Sequence, residues 1–293
     1  MNLKTFQSHA EETSQFKEIN RSMASSIWNL NETVGTLSRI YDDRDRSASS
    51  GSQKRMEDKL GDILWYVSNI ATCMGLSLDG VAQANLDKCD RRWGKKTHAP
   101  IFFDAEFGPE EQFPRLMILK ASETKKGLAK LSQKGAGSDW HQLGARVTDN
   151  SHSDDGYRFH DVLHLAYVAV LGWSPVMRAL MNRKRKSSPR TDEVEDGARA
   201  INLEEALTAL VYEHARESEF FATEKYVPFE LLKLIERLTR GLEVNQATYD
   251  LWNSAVLQGY HAWREVMKHH GGFLKCDMVA RKLVFAETEA ELA

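Results

Sequence analysis

Cysteine is scarce in this chain. Its 293 residues hold three, Cys73, Cys89 and Cys276, with no C-x-x-C among them, which excludes a disulfide framework or a thiolate zinc knuckle. Cys73 falls near an apolar helical stripe, where a small buried hydrophobe is expected. Net charge is scarce too. The 39 Lys and Arg against 42 Asp and Glu leave −3, so no global field points to nucleic acid or an anionic membrane. No apolar run approaches the roughly 18 residues of a membrane span, and the polar Asn2 to Lys4 does not open a signal peptide. A soluble, cytoplasmic protein is expected. The glycines at 135 and 137 lack the GxxxxGK[ST] pattern, so no Walker loop is present. Proline is rare, and three of the six fall between Gly94 and Arg115, marking a domain boundary.

What is present suits helices. The 42% apolar residues and seven Trp are enough for real cores, and the length allows about two domains. From Lys59 to Trp93 the apolar residues Leu60, Ile63, Leu64, Val67, Ile70, Ala71 and Met74 recur at helical spacing. Gly75 stops that helix, and a second is expected from the turn to Trp93. Asp62 follows Gly61 at the polar edge, and Asn85, Lys88, Arg91 and Arg92 lie toward the far end. A carboxylate, an amide and several cations suit a metal-bound phosphate ester; a buried hairpin with a solvated basic end suits the same spacing. Residues 5–43 predict two helices broken near Asn20, and Asp42 to Arg55 predicts a charged loop.

This region resembles a family. The residues Lys59–Asp62, Leu64–Tyr66, Gly75–Leu78, Asn85, Leu86, Lys88 and Arg92, with upstream Phe6–Thr13 and Asn31–Leu37, are similar to the helices of MazG-like nucleoside triphosphate pyrophosphohydrolases. The resemblance covers roughly residues 5–95. It implies an all-α bundle, a homodimer or homotetramer, and hydrolysis of a nucleoside triphosphate to monophosphate and pyrophosphate with Mg²⁺ or Mn²⁺. It also implies an E-x-x-E pair on one helix and an E-x-x-D pair on the next. Here Thr33, Thr36 and Lys59 stand at three of those four positions, and Asp62 alone remains. Glu32, Glu57 and Asp58 lie one or two positions away, and one helical residue is about 100° of rotation. The implied metal residues are therefore Glu32, Asp58 and Asp62, with Asn85, Lys88, Arg91 and Arg92 for substrate, in a degenerate site.

The second informative region starts at Asp149. A helix is expected from about Tyr157 to Leu171, with His160 and His164 one turn apart on one face and Asp161 beside them. Two imidazoles and a carboxylate within one turn can hold a transition metal; helix-edge histidines with local partners are the plainer reading. The run Arg183–Lys186 reads as a solvated face or a phosphate attractor. A strong helix then carries Glu204 and Glu205. Crossing helices would bring His160, Asp161, His164, Glu204 and Glu205 to one cleft as catalytic groups, with a further divalent cation there. The region 100–275 also resembles the C-terminal domain often appended to MazG-like modules.

The sequence thus predicts an all-α protein: a MazG-like helical domain over 1–95, a linker or irregular segment over 96–148, and a helical domain over 149–293. The function implied is metal-dependent nucleotide hydrolysis. The alternatives are a non-catalytic nucleotide-sensing or oligomerisation module, and an enzyme whose site lies in the C-terminal domain.

Overall fold

Four amphipathic runs form the helices of the first ninety residues: α1 (Leu3–Glu12), α2 (Ile19–Arg46), α3 (Gly51–Cys73) and α4 (Leu78–Trp93). This computed structural model describes residues 2–14, 19–46, 51–93, 100, 102–135, 137 and 139–292. The chain divides into two units, Met1–Arg91 and Arg92–Ala293. In the first, α2 packs along α3. The expected loop over 42–55 is mostly helix, since α2 reaches Arg46 and α3 begins at Gly51; residues 47–50 lie outside the described residues. Gln7 fastens α1 to the α3–α4 turn, donating to the Leu76 carbonyl at 2.9 Å and accepting from the Leu78 N–H at 2.7 Å. Among the described residues no helix is long and apolar enough to cross a membrane.

The second unit is built around α5 (Asp161–Leu171), in which every residue from Val162 to Leu171 is buried. A helix apolar all round must sit inside a core. It packs on α10 (Tyr249–His269) and on a sheet. The surrounding helices are α6 (Pro175–Leu180), α7 (Pro189–Val194), α8 (Ala198–Arg216) and α9 (Phe229–Thr239).

The sheet overturns the all-α expectation. Strands β1 (Leu116–Glu123), β2 (Ala129–Lys134), β3 (Trp140–Val147), β4 (Gly271–Asp277) and β5 (Lys282–Ala286) pair antiparallel in the order β3-β2-β1-β4-β5. The reason is partly local: Met117, Leu119 and Ala121 are buried on alternate positions of β1, a period of two in a run of eight. The decisive pairing is remote, Leu116 opposite Asp277. Gly271 opens β4 at φ 143°, and a Cβ there would sit 2.8 Å from the Ala121 carbonyl oxygen. Only glycine allows the strand to pass β1 so closely.

Charged residues fix the segment before β1. Asp104, fully buried, accepts the Phe113 N–H at 2.8 Å and the Arg178 guanidinium at 3.1 Å, and pairs with Arg115 at 2.7 Å. Burial alone would raise its pKa; Arg115, the Phe113 N–H and Arg178 outweigh this and hold it below the usual carboxylate range. A depressed folded-state pKa gives stability that is complete above the unfolded value of about 4 and lost as pH falls through the folded value. Thermal midpoints should therefore decline below about pH 4, and Asp104→Asn, less stable at neutral pH, should show a shallower acid decline. An equally steep decline in the variant would contradict this.

Candidate active site

The cleft between the start of α5 and the start of α8 gathers the polar groups. A single 3₁₀ turn, Tyr157–Phe159, leads into His160, the residue before α5. Upstream, Asp149 anchors the turn by accepting the Arg158 N–H at 2.7 Å. The Tyr157 ring stacks on the His160 ring at 4.6 Å and 6°, and the Tyr157 carbonyl lies 2.9 Å from His160 Nδ1. A carbonyl only accepts, so Nδ1 carries the hydrogen and Nε2 keeps its lone pair.

His164 repeats this arrangement one turn later. It is fully buried, and its Nδ1 lies 2.7 Å from Glu204 Oε1. Its Nε2 has no hydrogen-bond partner. Glu205 Oε2 approaches that nitrogen at 3.5 Å and His160 Nε2 at 3.8 Å, ionic contacts that are too long for good hydrogen bonds. Asp161 Oδ1 is 3.8 Å from His160 Nε2. Ligand atoms of His160, Asp161 and His164 all lie within 4.8 Å of one another.

The electrostatics are those of carboxylates enclosing an imidazole. Burial would lower the pKa of His164, but Glu204 and then Glu205 outweigh it and push it up to about 10. Contact with His164 holds Glu205 below its ordinary value. Burial, then Glu205 and Asp161, push the Tyr157 hydroxyl up to about 12. Two imidazole Nε2 atoms, that of His164 buried without a hydrogen-bond partner, thus face the carboxylates of Asp161 and Glu205, which favour positive charge there, a proton on His164 or a cation in its place.

The two glutamates have different roles. Glu204 is enclosed, accepting from His164 Nδ1, Ser174 Oγ at 2.6 Å and the Val176 N–H at 2.8 Å. Its oxygens are thus taken up by donors of this chain, His164 among them. Glu205 points 41% exposed from the next position. Ser174 and Tyr157 were missed in the sequence. Ser174-Pro175 carries a readable signal, a cap residue before proline at the first helical position; nothing in the sequence marks the Tyr157 carbonyl.

The residues implied for the N-terminal unit are not brought together in this way. Asp62 accepts from Lys59 at 2.7 Å, and this hydrogen bond raises the Lys59 pKa. Glu32 and Asp58 are exposed, and among the described residues the three-donor group lies at His160, Asp161 and His164 alone. Asn85 and Lys88 are exposed on α4; the side chains of Arg91 and Arg92 lie outside the described residues. The run 183–186 is no open phosphate attractor. Arg185 is buried against Asp196 and Glu243, and Arg183 donates to the Pro109 carbonyl at 2.6 Å.

Comparison with curated proteins and with solved structures finds no match. Among protein families, the MazG nucleotide pyrophosphohydrolase domain matches residues 21–96 and the MazG C-terminal domain matches residues 98–289. The chain therefore belongs to the MazG family, with a MazG nucleotide pyrophosphohydrolase domain followed by a MazG C-terminal domain.

Proposed function

We propose that this protein hydrolyses a nucleoside triphosphate, or a related nucleotide, to monophosphate and pyrophosphate with a divalent cation, and that the chemistry takes place in its C-terminal unit. The family supports the reaction class. The observation that carries the location is the convergence of His160, Asp161, His164 and Glu205, set against the Lys59–Asp62 pair in the N-terminal unit. His160, Asp161 and His164 would hold the cation, which when bound neutralises phosphate charge and favours ionisation of water.

The remaining work falls to this chain's own residues. Glu205, ionised and partly exposed beside both imidazoles, accepts the proton of the attacking water. The water oxygen bonds to the α-phosphorus, the bond from that phosphorus to the bridging oxygen breaks, and pyrophosphate leaves with the electron pair. Glu204 and the Tyr157 carbonyl keep the imidazoles oriented. A cavity of about 400 Å³ lined by Tyr157, Tyr212, Arg216 and His152 adjoins His160 through Tyr157 and offers room for the nucleoside. The test is purified protein with a panel of ribo- and deoxyribonucleoside triphosphates and Mg²⁺ or Mn²⁺, followed by pyrophosphate detection. Pyrophosphate with at least one nucleotide is expected; none with any would overturn the reading.

A second role is favoured for the N-terminal unit by its surface. Trp28, Leu60 and Leu86 are 77%, 54% and 57% exposed, large apolar side chains that a second copy would cover. Residues 5–95 are expected to form a dimer or tetramer. Light scattering at micromolar concentration checks this, and a strict monomer would contradict it.

A further inference from the structure

We propose that the C-terminal unit is a transition-metal site rather than a magnesium site, with His160 Nε2, His164 Nε2 and an Asp161 carboxylate oxygen as donors. The inference rests on donor geometry and holds whether or not a nucleotide is the substrate.

The first argument is hydrogen bonding. Each imidazole has its Nδ1 held by an outer acceptor, the Tyr157 carbonyl at 2.9 Å and Glu204 at 2.7 Å. This turns Nε2 of both rings inward, the orientation that metal-binding histidines require, and a cation bound there displaces the proton that the neighbouring carboxylates favour on His164. The second is burial. His164 Nε2 is enclosed without a hydrogen-bond partner, and a buried polar nitrogen left so is unfavourable unless something meets it. The site is too well supported around that atom for the gap to be incidental, since Glu204 is itself held by Ser174 and Val176.

The third is spacing. Donors bonded at about 2.1 Å to a tetrahedral ion lie about 3.4 Å apart. Asp161 Oδ1 lies 3.8 Å from His160 Nε2 and all three donors lie within 4.8 Å of one another, so modest side-chain movements close them on one ion. Two histidines and one carboxylate leave further positions open, with Glu205 at their edge. Donor chemistry then selects the ion. Magnesium demands oxygen ligands in near-octahedral geometry, whereas imidazole suits iron, nickel, copper and zinc.

The test titrates the full chain, freed of metal by chelator dialysis, with Co²⁺, Mn²⁺, Zn²⁺ and Mg²⁺. Calorimetry reads stoichiometry and affinity, and visible absorption reads nitrogen ligation of Co²⁺. One Co²⁺ per chain is expected, with a ligand-field band and binding at least about 100-fold tighter than Mg²⁺. His160→Ala and Asp161→Asn, at positions 12% and 17% exposed, should remove the band while circular dichroism stays native. Glu204→Gln should weaken Co²⁺ binding about 10–100-fold. The proposal is overturned if Co²⁺ and Mg²⁺ bind equally, if no saturable binding occurs, or if the band persists in both His160→Ala and Asp161→Asn.

Discussion

Glu205→Gln is expected to lower pyrophosphate release by about two to four powers of ten, the contribution of a positioned general base. Glutamine keeps the size and polarity of the side chain but has no basic oxygen at neutral pH. The loss should appear in kcat with KM little changed, because the substitution leaves untouched the cavity proposed for the nucleoside, lined by Tyr157 and Arg216. The melting temperature should move little, since the side chain is 41% exposed and its imidazole contacts are long, 3.5 and 3.8 Å. Glu204→Gln should behave differently. It puts an amide among three buried donors, so stability and metal affinity fall together. Turnover within threefold of the unsubstituted protein for Glu205→Gln would remove this residue from the chemistry.

Arg185→Met is expected to destabilise the C-terminal unit by about 3–5 kcal/mol, the cost of leaving buried charges without their partner. Arg185 Nη2 lies 2.7 Å from Asp196 and 2.7 Å from Glu243, Nε lies 3.1 Å from Asp196, and Nη1 donates to the Phe103 carbonyl at 3.0 Å. Asp196 is fully buried, and its remaining cation, Arg178, is 3.6 Å away. The unit should melt about 10 °C lower, whereas Lys186→Ala, at the end of the same basic run and exposed, should change stability by less than about 0.5 kcal/mol. Equal melting temperatures for the two variants would mean that the ion network adds nothing.

These residues show what could be read from the sequence. Two histidines four apart with an aspartate between are legible, because helical spacing puts i and i+4 on one face. A strong helix carrying Glu204 and Glu205 is legible for the same reason. Which glutamate turns inward is not, since adjacent residues differ by about 100° and only the packing of α8 against α6 decides it. The sheet was illegible for a different reason: β1 and β4 pair across about 150 positions of chain, and a short strand such as AKLSQK, rich in lysine and followed by glycine, resembles a loop. The basic run looked solvated because buried arginines are rare. Of the groups that hold Arg185, Asp196 lies 11 positions away, but Glu243 and the Phe103 carbonyl lie 58 and 82 away. The Lys59–Asp62 pair, three residues apart on α3, was within reach of sequence reasoning.

The most direct test compares Asp62→Asn with Asp161→Asn in the full chain, following pyrophosphate release from the best nucleotide of the panel under identical metal. With the working centre in the C-terminal unit, Asp62→Asn retains turnover close to that of the unsubstituted protein and Asp161→Asn loses it. The reverse result, activity lost with Asp62→Asn and kept with Asp161→Asn, would place the chemistry in the N-terminal helices and contradict this account.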